Sequence, residues 1–232
     1  MLPFSDFITN LETLRARIGS ACEACGRPAD SVGLLPVTKT HPAEAVEYVA
    51  RAGLSCVGEN RVREAAGKRE STEAAGRVRW ELIGHLQSNK AREAVSVFDR
   101  VQSVDSVKLI RRLDGFAGES ERKLPILLQC NTGGDPDKYG FPGDAVDAAV
   151  EAGLAAENLS VEGLMTVAPL DDDPDLARRA FDRLREVRDG LAARFGVALS
   201  ELSMGMTGDL EAAIAAGSTQ IRVGTALFGE RG

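Results

Sequence analysis

Short apolar segments alternate with helical patterns along the chain. Eight of these segments are almost continuously apolar and rich in β-branched residues, as parallel strands are when helices cover both faces of their sheet. The predicted strands are Gly33–Val37, Leu54–Gly58, Val78–Ile83, Arg100–Val104, Leu124–Asn131, Ser160–Met165, Leu199–Ser203 and Gln220–Gly224. Eight strands that alternate with helices predict an α/β fold of the (β/α)8 type, a TIM barrel.

A doubly wound parallel sheet is the alternative fold. That fold usually has fewer strands and a glycine-rich turn after the first strand. Here the end of the first strand and the residues that follow it read LLPVTKTHP (34–42), without a glycine. We therefore expect the barrel. Because no linker rich in proline, glycine and serine divides the chain, we expect one domain over residues 1–232.

Several helices have recognisable ends. An additional N-terminal helix is predicted from Ser5 to about Cys25, before the first strand. Asp173 followed by a proline is typical of a helix start, and Gly196 is expected to end the same helix. Thr207 is expected to cap a helix over GDLEAAIAA. Loops are predicted after strands five and six, at residues 132–136 and 167–174.

Composition excludes some classes of function. The 232 residues carry a formal net charge of −7, which argues against a nucleic-acid surface. No apolar run approaches the roughly 20 residues that span a bilayer, and the N-terminus does not resemble a signal peptide. We therefore expect a soluble, cytoplasmic protein with neither nucleic acid nor membrane as a partner.

The CEAC motif, with Cys22 and Cys25, permits two interpretations. One is a zinc or redox site, but a zinc site needs further ligands and neither histidine has the required spacing. The other is that both cysteines act as small apolar residues on the buried face of the first helix. The other members of that face are Phe4, Phe7, Leu11, Leu14 and Ile18.

Chemistry in this fold takes place at the C-terminal ends of the strands. Lys39 follows the first predicted strand, Asn60 follows the second and His85 follows the third. A lysine at a strand end can extend along the core surface to solvent, or it can be a nucleophile toward carbonyl groups.

The loops after strands seven and eight are the usual phosphate site of such a barrel. The candidate phosphate ligands are Ser203, Gly205, Thr207, Gly224 and Thr225, since hydroxyls, close backbone approach at glycine and helix-start N–H groups suit a dianion. The alternative is that these residues form only caps and turns.

A lysine opposite a phosphate site suggests a phosphorylated carbonyl compound held as a Schiff base. A sugar-phosphate aldolase and a pyridoxal 5′-phosphate (PLP) protein both fit this description. Arg222 lies two residues before Gly224, so both should point to the same side of strand eight. A buried guanidinium needs an acceptor. A pyridine nitrogen is one possibility, and a carboxylate of Glu59 or Asp105 is the other.

Seven stretches together resemble the pyridoxal phosphate homeostasis proteins, the single-domain relatives of the alanine racemase N-terminal barrel. The similarity extends from about Ile8 to Gly229. The stretches are VTKTHP, GENRVREA, WELIGHLQSNK, VQSVD, DPDKYGF, EGLMTVAP and LSMGMTGDLEAAIAAGSTQIRVGTALFG.

The resemblance implies a PLP barrel of fold type III and gives each matching residue a role. Lys39 would form the internal aldimine, and Arg222 would face the pyridine nitrogen. Asn60 would lie beside the cofactor ring and His85 at the rim. The phosphate cradle would comprise Ser203, Met204, Gly224 and Thr225, with Thr207 in place of a commoner serine.

The resemblance also implies PLP carriage and homeostasis with little or no turnover. Racemases of this type use a tyrosine from a second domain, whereas of the two tyrosines here only Tyr139 is expected near the barrel mouth. A racemase or lyase of fold type III is the alternative. We further expect a monomer, with PLP-dependent apoenzymes as transient acceptors.

Overall fold

Eight parallel strands form one sheet in a computed structural model that describes residues 1–135, 138–142, 145–169 and 173–229. The strand order is β1-β8-β7-β6-β5-β4-β3-β2. The strands are β1 Gly33–Pro36, β2 Cys56–Glu59, β3 Arg79–Leu82, β4 Arg100–Val104, β5 Leu124–Gln129, β6 Leu159–Met165, β7 Glu201–Ser203 and β8 Gln220–Val223. All eight predicted strands are confirmed, and each end lies within two residues of its predicted position.

The barrel closes between β1 and β2. Val37 and Gly58 form a parallel bridge, and the Thr38 N–H donates to the Gly58 carbonyl over 3.0 Å. The sheet therefore has no open edge at its C-terminal rim, and the predicted (β/α)8 barrel is confirmed.

Nine α-helices accompany the strands in the described part of the chain. They are α1 Phe4–Ala24, α2 Glu44–Arg51, α3 Val62–Ser71, α4 Ala91–Val97, α5 Val107–Glu119, α6 Val146–Leu154, α7 Pro174–Phe195, α8 Leu210–Ala215 and α9 Thr225–Phe228. None of the helices described is both long and apolar enough to cross a membrane.

Helix α1 is the predicted N-terminal helix, and it packs on α8 and α9. Its buried face contains Phe7, Leu11, Leu14, Ile18 and Cys22. The prediction was wrong for Cys25, which is exposed because the helix ends at Ala24. All four cysteines are free, and no cluster of metal-ligating side chains occurs among the residues described.

Helix α7 has the predicted ends. The Asp173 side chain accepts a 2.9 Å hydrogen bond from the Asp175 N–H, and Gly196 adopts a left-handed φ of 64°. The predicted loops 132–136 and 167–174 lie partly outside the described residues, since 136 and 170–172 are not described.

The prediction that Thr207 caps α8 was wrong. The helix begins only at Leu210, with Asp209 at the N-cap position. The Asp209 carboxylate accepts a hydrogen bond from the Met206 N–H over 2.5 Å. This bond closes a turn over residues 206–209, so the helix begins after that turn.

Candidate functional site

Lys39 lies at the C-terminal end of β1, between β8 and β2. Two hydrogen bonds fix the backbone before Lys39. The Val37 N–H donates to the Val223 carbonyl of β8 over 2.8 Å, and the Thr38 N–H donates to the Gly58 carbonyl of β2. Lys39 is half-buried, and Thr40 after it has a left-handed φ of 66°. The strand end therefore holds the lysine at the barrel mouth.

Gly224 lies next to this strand end. A Cβ atom at position 224 would lie 3.2 Å from the Val37 carbonyl oxygen, so the two backbones approach more closely than most side chains permit. Thr225 begins α9 and is exposed, and the Gly224 carbonyl accepts from the Leu227 and Phe228 N–H groups. Lys39 and the Gly224–Thr225 turn thus meet at the ends of two paired strands.

Arg222 lies inside the barrel, where it is only 5% exposed. Its Nη1 donates to Ser203 Oγ over 2.8 Å, and its Nη2 donates to the Thr166 carbonyl over 2.7 Å. Burial lowers the pKa of the guanidinium to about 10, and the Asp209 carboxylate partly opposes this. The side chain therefore remains cationic at neutral pH.

The alternative in which Arg222 pairs with Glu59 or Asp105 was wrong. The Glu59 carboxylate accepts from Lys68 Nζ over 2.6 Å, and Asp105 contacts His85. The hydrogen bonds described for Arg222 instead lead to a hydroxyl and a carbonyl, which leaves its further N–H groups for another acceptor.

Ser203 is fully buried at the end of β7. Its hydroxyl donates to Gln102 Oε1 over 2.6 Å while it accepts from Arg222. The structure therefore places the hydroxyl against the guanidinium, and its predicted contact with a phosphate stays a prediction. Met204 is also fully buried, and its N–H donates to the Gln220 carbonyl over 3.1 Å.

The segment after β7 turns sharply back onto β8. Gly205 has a φ of 95°, and a Cβ there would lie 2.5 Å from the Ala213 Cβ, so the turn requires glycine. Its carbonyl accepts from the Arg222 N–H over 3.0 Å. Thr207 is half-buried, and its carbonyl accepts from Arg17 of α1 over 3.2 Å. These contacts bring Thr207 to the same rim as Gly224.

Asn60 and His85 follow β2 and β3. A Cβ at Gly84 would lie 2.8 Å from the Asn60 Cα, so these two strand ends are in direct backbone contact. Ser103 Oγ donates to the Gly84 carbonyl over 2.6 Å, which extends the contact to β4. The predicted rim residues of three adjacent strands are therefore brought together.

His85 is oriented by two neighbours. Its Nδ1 lies 2.8 Å from Asp105 Oδ2, and its ring stacks on Tyr139 with a centroid separation of 3.6 Å. The carboxylate fixes the imidazole so that Nε2 is the other hydrogen-bonding atom of the ring. Tyr139 is 56% exposed and serves here as a ring partner for His85.

A polar network inside the barrel was not predicted. Gln102 Nε2 donates to Gln220 Oε1 over 2.7 Å and also to Glu81, whose Oε2 accepts from Arg100 Nη2 over 2.8 Å. Through Ser203 the network continues to Arg222. The available signal was the pair of polar residues, Arg100 and Gln102, at alternate positions of a predicted buried strand.

A buried lysine was also missed. Lys68 of α3 is 7% exposed and donates from Nζ to Glu59 Oε1, to Glu64 Oε1 over 2.8 Å and to the Thr38 carbonyl over 2.7 Å. Burial raises the pKa of the Glu59 carboxyl. Burial also opposes ionisation of Glu64, but hydrogen bonds from Lys68 and the Thr40 N–H, together with the positive charges of Lys68 and Arg61, outweigh it and lower the Glu64 pKa. Only the spacing of four residues between Glu64 and Lys68 indicated this pair.

Comparison with known proteins defines the class first. The model of the alanine racemase N-terminal domain matches residues 9–232. Alanine racemase of Clostridium difficile superposes with a TM-score of 0.77 at 13% identity, over 97% of this chain and 57% of that one. At that identity the likeness concerns the fold, so the protein is a barrel of the alanine racemase N-terminal class.

Closer relatives define the family. A pyridoxal phosphate homeostasis protein of Pseudomonas aeruginosa is 40% identical over 98% of this chain and 96% of its own length. PipY of Synechococcus elongatus PCC7942, whose structure was solved with PLP bound, has 38% identity and a TM-score of 0.86 over 96% of this chain and 100% of its own. The chain belongs to the family of pyridoxal phosphate homeostasis proteins.

The residues at the barrel mouth fit PLP chemically. The primary amine of Lys39 at the end of β1 suits an aldehyde. The buried Arg222 cation on β8 suits a pyridine nitrogen. The close backbone approach at Gly224 suits a phosphate. These residues come from the paired strands β1 and β8, so one small molecule could contact all of them.

Proposed function

We propose that this protein binds PLP at the C-terminal mouth of the barrel and acts in PLP homeostasis, keeping the reactive aldehyde bound and available. The observation that carries the proposal is the placement of Lys39 and Gly224 at the ends of two paired strands, with the Arg222 guanidinium buried in the strand that Gly224 follows. The family to which the chain belongs supports the same ligand.

PLP supplies an aldehyde that condenses with primary amines and a ring that withdraws electrons. In its unprotonated form, the Lys39 amine would be the nucleophile toward that aldehyde. Arg222 would orient the pyridine nitrogen, Asn60 would lie beside the ring, and His85 would lie at the rim of the barrel. The phosphate ligands would be Ser203, Met204, Thr207, Gly224 and Thr225.

The geometry favours binding over turnover. A cationic Arg222 opposite the pyridine nitrogen disfavours protonation of that nitrogen, which weakens the ring as an electron acceptor. Racemisation also needs a second acid or base on the opposite face of the substrate. Because the relatives that span the whole chain are named homeostasis proteins, we propose carriage rather than a racemase, lyase or aldolase activity.

Three further expectations are proposals of the same kind. We expect one PLP-binding domain over residues 1–232, a cytoplasmic monomer, and transient transfer of PLP to apoenzymes that need it. An open barrel mouth supports exchange, because Thr225 and His85 at the rim are exposed to solvent.

Peptide mapping tests the proposal. The protein is incubated with PLP, reduced with borohydride and digested, and mass spectrometry locates the pyridoxyl group. We expect the group on Lys39 and its loss in Lys39→Ala, with Lys108→Ala as a matched control because Lys108 is exposed on α5. A pyridoxyl group mainly on another lysine would refute the assignment. An undiminished yield of pyridoxyl-labelled protein from Lys39→Ala would refute it as well.

A chiral assay tests the distinction from a racemase. The PLP-loaded protein is incubated with L-alanine or D-alanine, and the enantiomers are separated over time. We expect conversion no faster than with free PLP. Conversion at typical enzyme rates, about 1 s⁻¹ or faster, would favour the racemase alternative.

A further inference from the structure

One buried ion cluster contacts both neighbours of Lys39. We define the Lys68 cluster as Lys68, Glu59 and Glu64. On one side of Lys39, Thr38 Oγ1 donates to Glu59 Oε1 over 2.7 Å, and the Thr38 carbonyl accepts from Lys68 Nζ. On the other side, the Thr40 N–H donates to Glu64 Oε1 over 2.5 Å.

All three protons of the Lys68 ammonium have acceptors in this arrangement. Nζ lies 2.6 Å from Glu59, 2.8 Å from Glu64 and 2.7 Å from the Thr38 carbonyl. The third contact is unusual because it connects a charge on α3 to the backbone that immediately precedes Lys39. A buried ion pair often adds little stability compared with apolar residues of similar size, so stability alone is a weak reason for this cluster.

Thr40 provides a second, independent observation. Its φ of 66° is in the left-handed region, which is unfavourable for a β-branched residue. Such a conformation persists where surrounding contacts impose it, and it often lies at functional sites. The contact described for the Thr40 N–H is with Glu64, so the cluster holds the backbone turn that directs the chain away from the barrel after Lys39.

We propose that Lys68 and Glu64 are positioning residues for Lys39. Together with Glu59 they clamp the peptide from Thr38 to Thr40, so that the Lys39 side chain projects into the barrel mouth with its amine in reach of an aldehyde. The proposal deepens the proposed function and rests on it for the identity of that aldehyde.

The structure supplies a matched pair of variants at Glu64. Glu64→Ala removes the acceptor for the Thr40 N–H, whereas Glu64→Gln keeps an oxygen there. We expect the rate of covalent attachment to Lys39 at saturating PLP to fall about 10-fold or more in Glu64→Ala, as misplaced reacting groups do. Glu64→Gln should recover most of the rate. Glu70→Ala, on the exposed side of the same helix, should match the wild type.

Two readouts separate positioning from a structural role. The reducible fraction of bound PLP reports covalent attachment, and the thermal midpoint reports folding. Positioning predicts a lower covalent fraction in Glu64→Ala at a PLP occupancy where the wild type is fully attached. An equal covalent fraction and rate in folded Glu64→Ala would overturn the proposal, as would equal losses in the Ala and Gln variants.

A second variant covers the possibility that Glu64→Ala does not fold. Thr40 is exposed, so substitution there leaves the cluster itself in place. Thr40→Pro removes the N–H donor and imposes a negative φ, whereas Thr40→Gly keeps both the donor and the left-handed turn. We expect slow attachment in the proline variant alone, and equal rates in both would contradict the clamp.

The same measurements distinguish failure of this inference from failure of the proposed function. If wild-type Lys39 forms no adduct, PLP binding through Lys39 is refuted. Pyridoxal without its phosphate then serves as the probe of Lys39 reactivity, read by peptide mapping. If Lys39 reacts with PLP equally in the wild type and in Glu64→Ala, the clamp is refuted while the function stands. Equal reaction of the two proteins with pyridoxal alone refutes the clamp as well.

Discussion

Ser203 Oγ accepts a 2.8 Å hydrogen bond from Arg222 Nη1 inside the barrel. The same hydroxyl donates its only proton to Gln102, so towards Arg222 it can act only as an acceptor. The guanidinium therefore occupies a defined place without a carboxylate partner in hydrogen-bond contact among the residues described. A neutral hydroxyl and a carbonyl orient the cation, and the Asp209 carboxylate offsets its charge only in part.

The Ser203→Ala variant should lower the free energy of unfolding by about 1–3 kcal/mol. The substitution leaves Nη1 of Arg222 and Oε1 of Gln102 each short of a buried partner. Urea denaturation measures the effect. Ser96→Ala is the control, since Ser96 is exposed on α4 and its removal should change stability by no more than about 0.5 kcal/mol. Equal stability of the two variants would contradict this interpretation.

The strands and the principal site residues could be predicted because their signals are local. A run of apolar residues followed by a polar one identifies both a strand and its C-terminal end, which is how Lys39, Asn60 and His85 were found. Thr207 shows the limit of such local signals. Thr207 and Asp209 are both good capping residues within three positions, and the tertiary turn at Met206 decides between them.

The buried polar groups could not be predicted for a different reason. A lysine four residues after a glutamate is usually an exposed helical pair, and only the approach of α3 to the Thr38 carbonyl buries Lys68. Likewise, the contact between Gln102 and Ser203 joins residues 101 positions apart. Such contacts depend on the register of strands that are distant in sequence.

Gly84→Ala should both destabilise the protein and weaken PLP binding. The added methyl group would meet the backbone of Asn60, with the Cα at 2.8 Å, and a backbone cannot move aside as a flexible side chain does. We expect a loss of about 1–3 kcal/mol in stability and a higher dissociation constant for PLP, measured by equilibrium dialysis.

Gly67→Ala is the matched control for this glycine. Gly67 is exposed in α3 with open space around its Cα, so alanine should stabilise the helix by about 0.5–1 kcal/mol and leave PLP affinity unchanged. The assignment of Gly84 as a close-contact position fails if Gly84→Ala behaves like Gly67→Ala in both measurements.

The four thiols should differ widely in reactivity toward iodoacetamide at pH 8. Burial raises the pKa of Cys130 to about 12, and burial together with the Glu81 carboxylate raises that of Cys56 to about 11. The reactive thiolate is therefore scarce at both sites at this pH. Cys25 is exposed and should be labelled first.

Mass spectrometry of the labelled protein, native and in denaturant, checks this order. In denaturant all four thiols should react at comparable rates, because burial is lost. Native labelling of Cys56 or Cys130 as fast as that of Cys25 would contradict the burial of β2 and of the end of β5.

Arg222→Glu should introduce slow chemistry at the Cα of bound amino acids. A carboxyl group in place of the guanidinium would favour a protonated pyridine nitrogen, and a protonated ring is the stronger electron acceptor. Deuterium exchange of the alanine Cα proton, followed by NMR in the presence of PLP, measures this directly. We expect faster exchange in Arg222→Glu than in the wild type. Arg222→Lys keeps the positive charge and should not accelerate exchange, so equal exchange in both variants would show that Arg222 does not face the ring nitrogen.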